Sequence, residues 1–98
     1  MPFAMSSGIT FSELGIAKYA PRESGVYGIY NNSEWIYIGE AQDIEARLYE
    51  HIRSQSDQGP RILRRNPTSF IFERCDARTR SMREAQLIRE FRPVCNLT

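Results

Sequence analysis

The sequence predicts an α+β domain: a small three-stranded, antiparallel-type sheet flanked by helices. Three observations carry this expectation. Residues 26–30 and 35–38 are aromatic and β-branched runs on either side of the turn-forming tetrad Asn31-Asn32-Ser33-Glu34. Ile44, Leu48 and Ile52 recur at every fourth position, the spacing of one helical face. Residues 69–74 place Phe70, Ile71 and Phe72 in succession, which suits a strand covered on both faces.

The elements follow in chain order. Phe11, Leu14, Ile16, Ala17 and Tyr19 precede Pro21, and Thr10 or Ser12 can cap a short helix there. Residues 20–25 form a turn-rich approach to the hairpin, and Gly39 is expected to stop the hairpin's second strand. Asp43 offers an N-cap for the helix over about 44–52. Residues 54–60 are polar and loop-like, and Ile62-Leu63 suit one turn of helix before Asn66-Pro67. After the strand at 69–74, Thr79 or Ser81 opens a last helix. Its inner face is Ala85, Leu87, Ile88 and Phe91, and Pro93 ends it. With no internal repeat or low-complexity segment, residues 1–98 are expected to form a single domain, with a core over about 21–97 and an N-terminal extension over 1–20.

Composition narrows the function classes. A chain of 98 residues, 41% apolar and 26% charged, has room for one modest core. No apolar run approaches the length of a membrane span. No basic residue precedes Lys18, and the first eleven residues lack the apolar stretch of a secretory signal. Two cysteines, Cys75 and Cys95, are too few for a disulfide scaffold, so the expected setting is reducing and cytoplasmic. The net charge of +1 conceals an asymmetry. Residues 1–52 hold three basic residues against seven acids, whereas residues 53–98 hold ten arginines against five acids. Of the thirteen basic residues, twelve are arginine, whose planar fork suits phosphate. An Arg-rich half beside an acidic half points to a polyanionic partner, although Arg-rich composition also arises with no partner at all.

Polar and aromatic groups gather at one place. Tyr27 and Tyr37 come from the hairpin. Tyr30 lies three positions from Tyr27 and faces the other side of the strand. Arg47 and His51 stand at i and i+4 on one helical face beside the apolar stripe. Glu84 comes from the last helix. Each has an ordinary structural alternative. The tyrosines can be cross-strand aromatics, and Arg47 can pair with Asp43. His51, the only histidine, excludes a histidine-based metal site. Ser81 and Glu84 fit a capping box. Asn96 can tie down the C-terminus, Cys75 and Cys95 can be small apolar residues, and Trp35 can pack the hairpin.

Taken in order, these residues resemble a known family. The stretch SGVYGIYNNSEWIYIGEAQDIEARLYEH, with REAQLIREFRPVCN near the end, is similar to the GIY-YIG nuclease domain over roughly residues 21–97. It also resembles the nuclease domain of the excision-repair incision subunit. Gly28-Ile29-Tyr30 lies only six residues from Tyr37-Ile38-Gly39, too close for the family's two triplets. Gly25-Val26-Tyr27 leaves nine, so Tyr27 is taken as the first-motif tyrosine and Tyr37 as the second. Arg47, His51, Glu84 and Asn96 then follow in the family's order. Glu40 departs from the Lys or Gln often found just after the second motif.

The resemblance implies a metal-dependent endonuclease that hydrolyses DNA phosphodiester bonds by one-step attack of water. Glu84 would hold a single Mg²⁺ or Mn²⁺ with several waters. Arg47 would stabilise charge on the phosphate. Tyr27 or Tyr37, assisted by His51, would orient and deprotonate water. Gly39 and Asn96 would support the site. Arg53, Arg61, Arg64, Arg65, Arg74, Arg78, Arg80 and Arg83 would form a phosphate-binding rim. Expected partners are DNA together with a second copy of the chain or a separate targeting protein, and no membrane. Action on branched or damaged DNA in repair is one form of this expectation. A non-catalytic nucleic-acid-binding module on the same fold is the alternative.

Overall fold

The computed structural model of the chain describes Phe3 and residues 7–96. Its elements run β1 (Ile9–Thr10), α1 (Glu13–Tyr19), β2 (Gly25–Tyr30), β3 (Trp35–Ala41), α2 (Ile44–Ile52), α3 (Gly59–Arg64), β4 (Ser69–Arg74) and α4 (Arg80–Phe91). The sheet is antiparallel throughout, in the order β1-β4-β2-β3. The expected α+β architecture is present, with one correction: the sheet has four strands rather than three. The added strand, β1, is a two-residue rung against Ser69 and Phe70. Two residues are too few to show an alternating pattern, so the sequence carries no signal for it.

The local chemistry explains where elements begin. Ser12, rather than Thr10, caps α1 by accepting from Gly15 N–H. Asp43 caps α2 by accepting from Ala46 N–H. In the hairpin turn, Asn31 Oδ1 accepts from the backbone of both Ser33 and Glu34, an Asx-type closure. β3 does not stop at Gly39 but continues to Ala41. α3 is longer than the expected single turn and carries Pro60 in its first turn, where no N–H is needed. The chain leaves α4 through Arg92 in the left-handed conformation (φ 49°), followed by Pro93.

The sheet is covered on both faces. One face carries Tyr27, Ile29, Phe70 and Phe72 against Ile16 of α1, Ile44 and Leu48 of α2 and Ile62 of α3. The other carries Val26, Ile38 and Ile71 against Leu87 of α4 and Phe3. Each such fully buried side chain contributes about 1.5–3 kcal/mol relative to exposure. Ala85 is exposed and does not belong to the inner face of α4, where Leu87 is buried and Ile88 and Phe91 are half-buried. Trp35 packs the hairpin end, its ring 5.9 Å from Phe3, 4.8 Å from Tyr30 and 4.6 Å from Phe91. Cys75 and Cys95 are both free.

β3 is the edge strand, and its outer backbone groups are satisfied by the chain's end. Val94 N–H donates to Trp35 O (3.1 Å) and Cys95 N–H to Ile36 O (2.8 Å). The Asn96 side-chain amide then bonds Ile38 in both directions, accepting from its N–H and donating to its C=O, each at 2.8 Å. One side chain thus continues the ladder for a residue. This removes an exposed edge that would otherwise pair with another chain.

Candidate active site

Tyr27 projects from the middle of β2 toward α2 and stands opposite Gly39 in the ladder. Its ring lies over the Gly39 α-carbon. A Cβ placed on Gly39 would fall 2.5 Å from the phenolic oxygen, 2.7 Å from Tyr27 Cζ and 2.9 Å from Tyr37 Cε2. Gly39 has no positive φ, so the site needs its lack of a side chain rather than its conformational freedom. That explains why β3 passes through Gly39 unbroken.

Tyr37 pairs with Ile29 and faces the same side. Its ring centroid is 6.2 Å from Tyr27's and 5.4 Å from that of His51. α2 places Arg47 and His51 one turn apart. His51 Nε2 lies 2.6 Å from Tyr27 Oη, and both residues are only 1% exposed. The other ring nitrogen, Nδ1, lies 2.6 Å from Ser56 Oγ. Tyr30, by contrast, points to the opposite face and packs on Trp35. The triplet containing Gly28 and Tyr30 therefore lies outside the tyrosine–histidine cluster. Ser56 is absent from the sequence expectation. Nothing about a serine in a polar loop five residues after His51 marks it as a partner.

Glu84 lies on α4, which packs over β3 and β2. Its carboxyl pKa is held up by burial and the nearby Glu40 charge, with the Glu40 backbone amide opposing, and its own charge reaches both Tyr27 and Tyr37. The capping-box alternative fails. Thr79 is the N-cap and makes no side-chain cap bond, and Ser81 donates its hydroxyl to Glu40 (2.7 Å). Arg80 pairs with the same carboxylate at 3.0 Å and also donates to Ser24. Glu40 thus ties the first turn of α4 to the sheet. Arg47 does not pair with Asp43, whose oxygen is taken by the cap. It pairs with Glu50 at 3.0 Å on the surface.

The arginines of the expected rim divide. Arg53, Arg65 and Arg74 form exposed pairs with Glu13, Glu34 and Glu23. Arg80 and Arg83 are more enclosed, with Arg83 making a two-pronged contact to Glu73 at 2.7 and 3.0 Å. Arg61 and Arg64 instead donate to backbone carbonyls, those of Cys95 and Pro60. With Arg65, Val94 and Cys95 they line a shallow pocket of about 440 Å³. Arg78 is exposed.

Burial dominates the electrostatics. It holds the Tyr27 phenol well above its ordinary range, with the neighbouring Tyr37, Glu84 and Glu50 adding to the rise and Arg47 opposing it. Tyr37 is raised by burial and Glu84, opposed by Arg47 and Arg61. Burial, aided by Arg47, lowers His51 to about 4, so the imidazole is uncharged at neutral pH. Glu84 is raised by its own burial and by the facing Glu40. A divalent cation at Glu84 would relieve both effects. No group of three or more His, Cys, Asp or Glu converges among the described residues. The donor set thus suits an ion that keeps most of its water, as magnesium does.

Two outcomes follow. Gly39→Ala forces Tyr27 off its seat, so the denaturant midpoint drops by an amount equivalent to about 1–3 kcal/mol, and any activity of the site is lost with the Tyr27–His51 contact. The second concerns pH. The folded-state pKa of His51, about 4, lies below the unfolded value near 6.5, so the unfolded chain takes up the proton first. Stability is therefore fully present above about 6.5 and falls as pH drops toward 4, by up to about 3 kcal/mol. Glu84, displaced upward, pulls the other way, so the comparison must be made with His51→Gln. Urea midpoints of that variant should be flatter with pH over this window than those of the wild type.

The chain is similar to known proteins over most of its length. Residues 23–97 match the model of the GIY-YIG catalytic domain. Curated relatives include the UvrABC system protein C of Bradyrhizobium diazoefficiens, 32% identical over 84 residues, covering 82% of this chain and 12% of that protein. The corresponding protein of Rickettsia rickettsii is 32% identical over 97 residues, covering 95% of this chain and 15% of its own length. The chain thus spans about an eighth to a seventh of these relatives. Among solved structures, the GIY-YIG N-terminal endonuclease domain of UvrC from Thermotoga maritima bound to its catalytic divalent cation, magnesium, superposes with a TM-score of 0.70. That match is 31% identical and covers 84% of this chain and 96% of that one. An asparagine-to-alanine variant of the same domain, also cation-bound, gives 0.65 at 32% identity, covering 82% and 92%. The matched model spans the hairpin, α2, α4 and the closing asparagine alike, and the chain belongs to the GIY-YIG endonuclease family.

Proposed function

We propose that the chain hydrolyses DNA phosphodiester bonds by a single in-line attack of water. The observation that carries this reading is the buried 2.6 Å contact between Tyr27 Oη and His51 Nε2, within electrostatic reach of Arg47 and Glu84. A phenol is a poor base by itself, with an ordinary pKa near 10. A neutral imidazole held against it gives its proton somewhere to go. Tyr27 is therefore the better candidate than Tyr37 for orienting and deprotonating the water. Tyr37 has its ring edge toward His51 and walls the same site.

Arg47 is the charge partner for the phosphate. Its guanidinium is half-exposed, and its contact to Glu50 is a surface pair, worth little and readily exchanged for phosphate oxygens. Glu84 would hold one Mg²⁺ or Mn²⁺. When bound, the ion supplies charge neutralisation at the phosphate and at the leaving 3′ oxygen. Asn96 fixes the β3 edge beside Glu84 rather than reacting. Gly39 leaves the room in which Tyr27 sits.

The DNA backbone is proposed to run from the tyrosines across α3. Arg61, Arg64 and Arg65 cluster there beside Cys95, and Arg61 acts electrostatically on Tyr37. Arg80 and Arg83 are assigned instead to holding α4, because their carboxylate partners are fixed and half-buried.

Plasmid nicking tests this reading. With Mg²⁺ or Mn²⁺ the wild type should nick, and chelation should stop it. Glu84→Gln and Arg47→Ala, shown to be folded, should each lose about 10²–10³-fold in rate. Activity that survives Glu84→Gln would remove the metal assignment. Binding of DNA with no cleavage of duplex, single-stranded or branched forms would favour a non-catalytic binding module. For the backbone path, Arg61→Ala and Arg64→Ala should each reduce the salt slope of DNA binding by about one while weakening all sequences alike.

A further inference from the structure

The loop after α2 is built to bring one hydroxyl beneath His51. Ser54 adopts a left-handed conformation (φ 55°) and returns its N–H to His51 O, and Gln55 N–H reaches Glu50 O at 2.7 Å. The chain then folds back so that Ser56 Oγ lies 2.6 Å from His51 Nδ1. Gly59 N–H donates into the same oxygen at 2.9 Å. A Cβ on Gly59 would approach Ser54 Cα, His51 O and Ser56 Oγ to 3.0, 3.1 and 3.2 Å, so the loop closes tightly around this point.

These contacts have a direction. An uncharged imidazole has one N–H and one bare nitrogen, and which is which is set by its partners. Tyr27 is buried, and His51 is the one hydrogen-bond partner of its hydroxyl among the described residues. If His51 donated from Nε2, the phenol proton would be left buried and unpaired, the costly arrangement. Ser56 is half-buried, so its own proton can face solvent. Its two lone pairs can accept from Gly59 N–H and from His51 Nδ1–H together.

We propose that Ser56 is a positioning residue: by accepting the His51 Nδ1 proton it holds the imidazole in the tautomer whose Nε2 lone pair receives the Tyr27 proton. Built on the nuclease reading above, this gives a balanced step. A water proton passes to Tyr27 Oη as the phenol proton passes to His51 Nε2. The water oxygen forms its bond to phosphorus as the bond to the 3′ oxygen breaks, and that oxygen takes a proton from solvent. Tyr27 ends as it began, with no free phenolate. His51 leaves the step as an imidazolium, still donating to Ser56 from Nδ1, and returns its proton to solvent between turnovers.

The test does not depend on cleavage alone. The chain has a single histidine, so a long-range proton–nitrogen correlation spectrum at neutral pH reads the His51 tautomer without ambiguity. The wild type should show a protonated Nδ1 and a bare Nε2. Ser56→Ala, with its backbone amide spectrum otherwise retained, should shift the ring toward the opposite tautomer or a mixture. Its nicking kcat should fall about 10- to 100-fold at unchanged KM for DNA, the usual scale for losing the group that orients a functional imidazole. Ser56→Thr, which keeps the hydroxyl, should restore both. A protonated Nε2 in the wild type, or a tautomer unmoved by Ser56→Ala, overturns the proposal whatever the activity. If the tautomer responds as stated but neither protein cleaves any DNA, the orientation role stands and the nuclease reading falls.

Discussion

Most of the site depends on one close approach, the Tyr27 ring seated on the bare α-carbon of Gly39. That contact lets a large polar side chain point into the layer between sheet and helices instead of lying flat against a neighbour. From there its hydroxyl meets His51, and His51 meets Ser56. All three depend on packing that is almost wholly apolar around them, with Ile44 and Leu48 of α2 fully buried alongside. The low exposure that keeps Tyr27 a phenol and His51 uncharged is the same exposure that lets a short hydrogen bond between them persist.

The second constraint is the edge of β3. An edge strand is normally a hazard, yet here it is where functional groups converge. The left-handed turn at Arg92 sends the chain back along β3, and Asn96 completes the ladder at Ile38. One step further along the strand, Glu40 stands close enough to Glu84 to act on its titration. The Glu40 side chain holds Arg80 and Ser81 of α4. Its negative charge is at the same time one reason the Glu84 carboxyl is raised, so the anchoring carries an electrostatic cost that a bound cation would offset.

Charge in this molecule is largely internal bookkeeping. The acidic N-terminal half and the Arg-rich C-terminal half meet in the fold: Glu13 with Arg53, Glu34 with Arg65, Glu23 with Arg74, Glu40 with Arg80. The asymmetry that suggested a polyanion in the sequence is therefore partly spent on joining the two halves. Among the described residues, the arginines outside these pairs and those of Arg22 with Glu45, Arg47 with Glu50 and Arg83 with Glu73 are Arg61 and Arg64 on α3, and Arg78, Arg89 and Arg92 before, on and after α4.

The sequence by itself determined the hairpin, α2, β4 and α4, because each carries a local apolar signal: aromatic and β-branched runs about a turn, an i, i+4 stripe behind a cap, an unbroken apolar run, and an apolar helix face ended by Pro93. It also determined the order Tyr27, Tyr37, Arg47, His51, Glu84 and Asn96, and, through the strand's two-residue period, that Tyr30 faces away. The tertiary structure decided the rest. A two-residue strand has no pattern to read. Whether Glu84 caps its own helix or faces the sheet depends on a neighbour forty-four positions away. Gly39 looks like a strand terminator until the Tyr27 ring is placed on it. Ser56 becomes a partner of His51 only once a left-handed turn folds the loop back under α2. Local propensity is written along the chain, whereas a hydrogen bond across a loop or a missing side chain beneath a ring is a property of two segments brought together, and only packing brings them together.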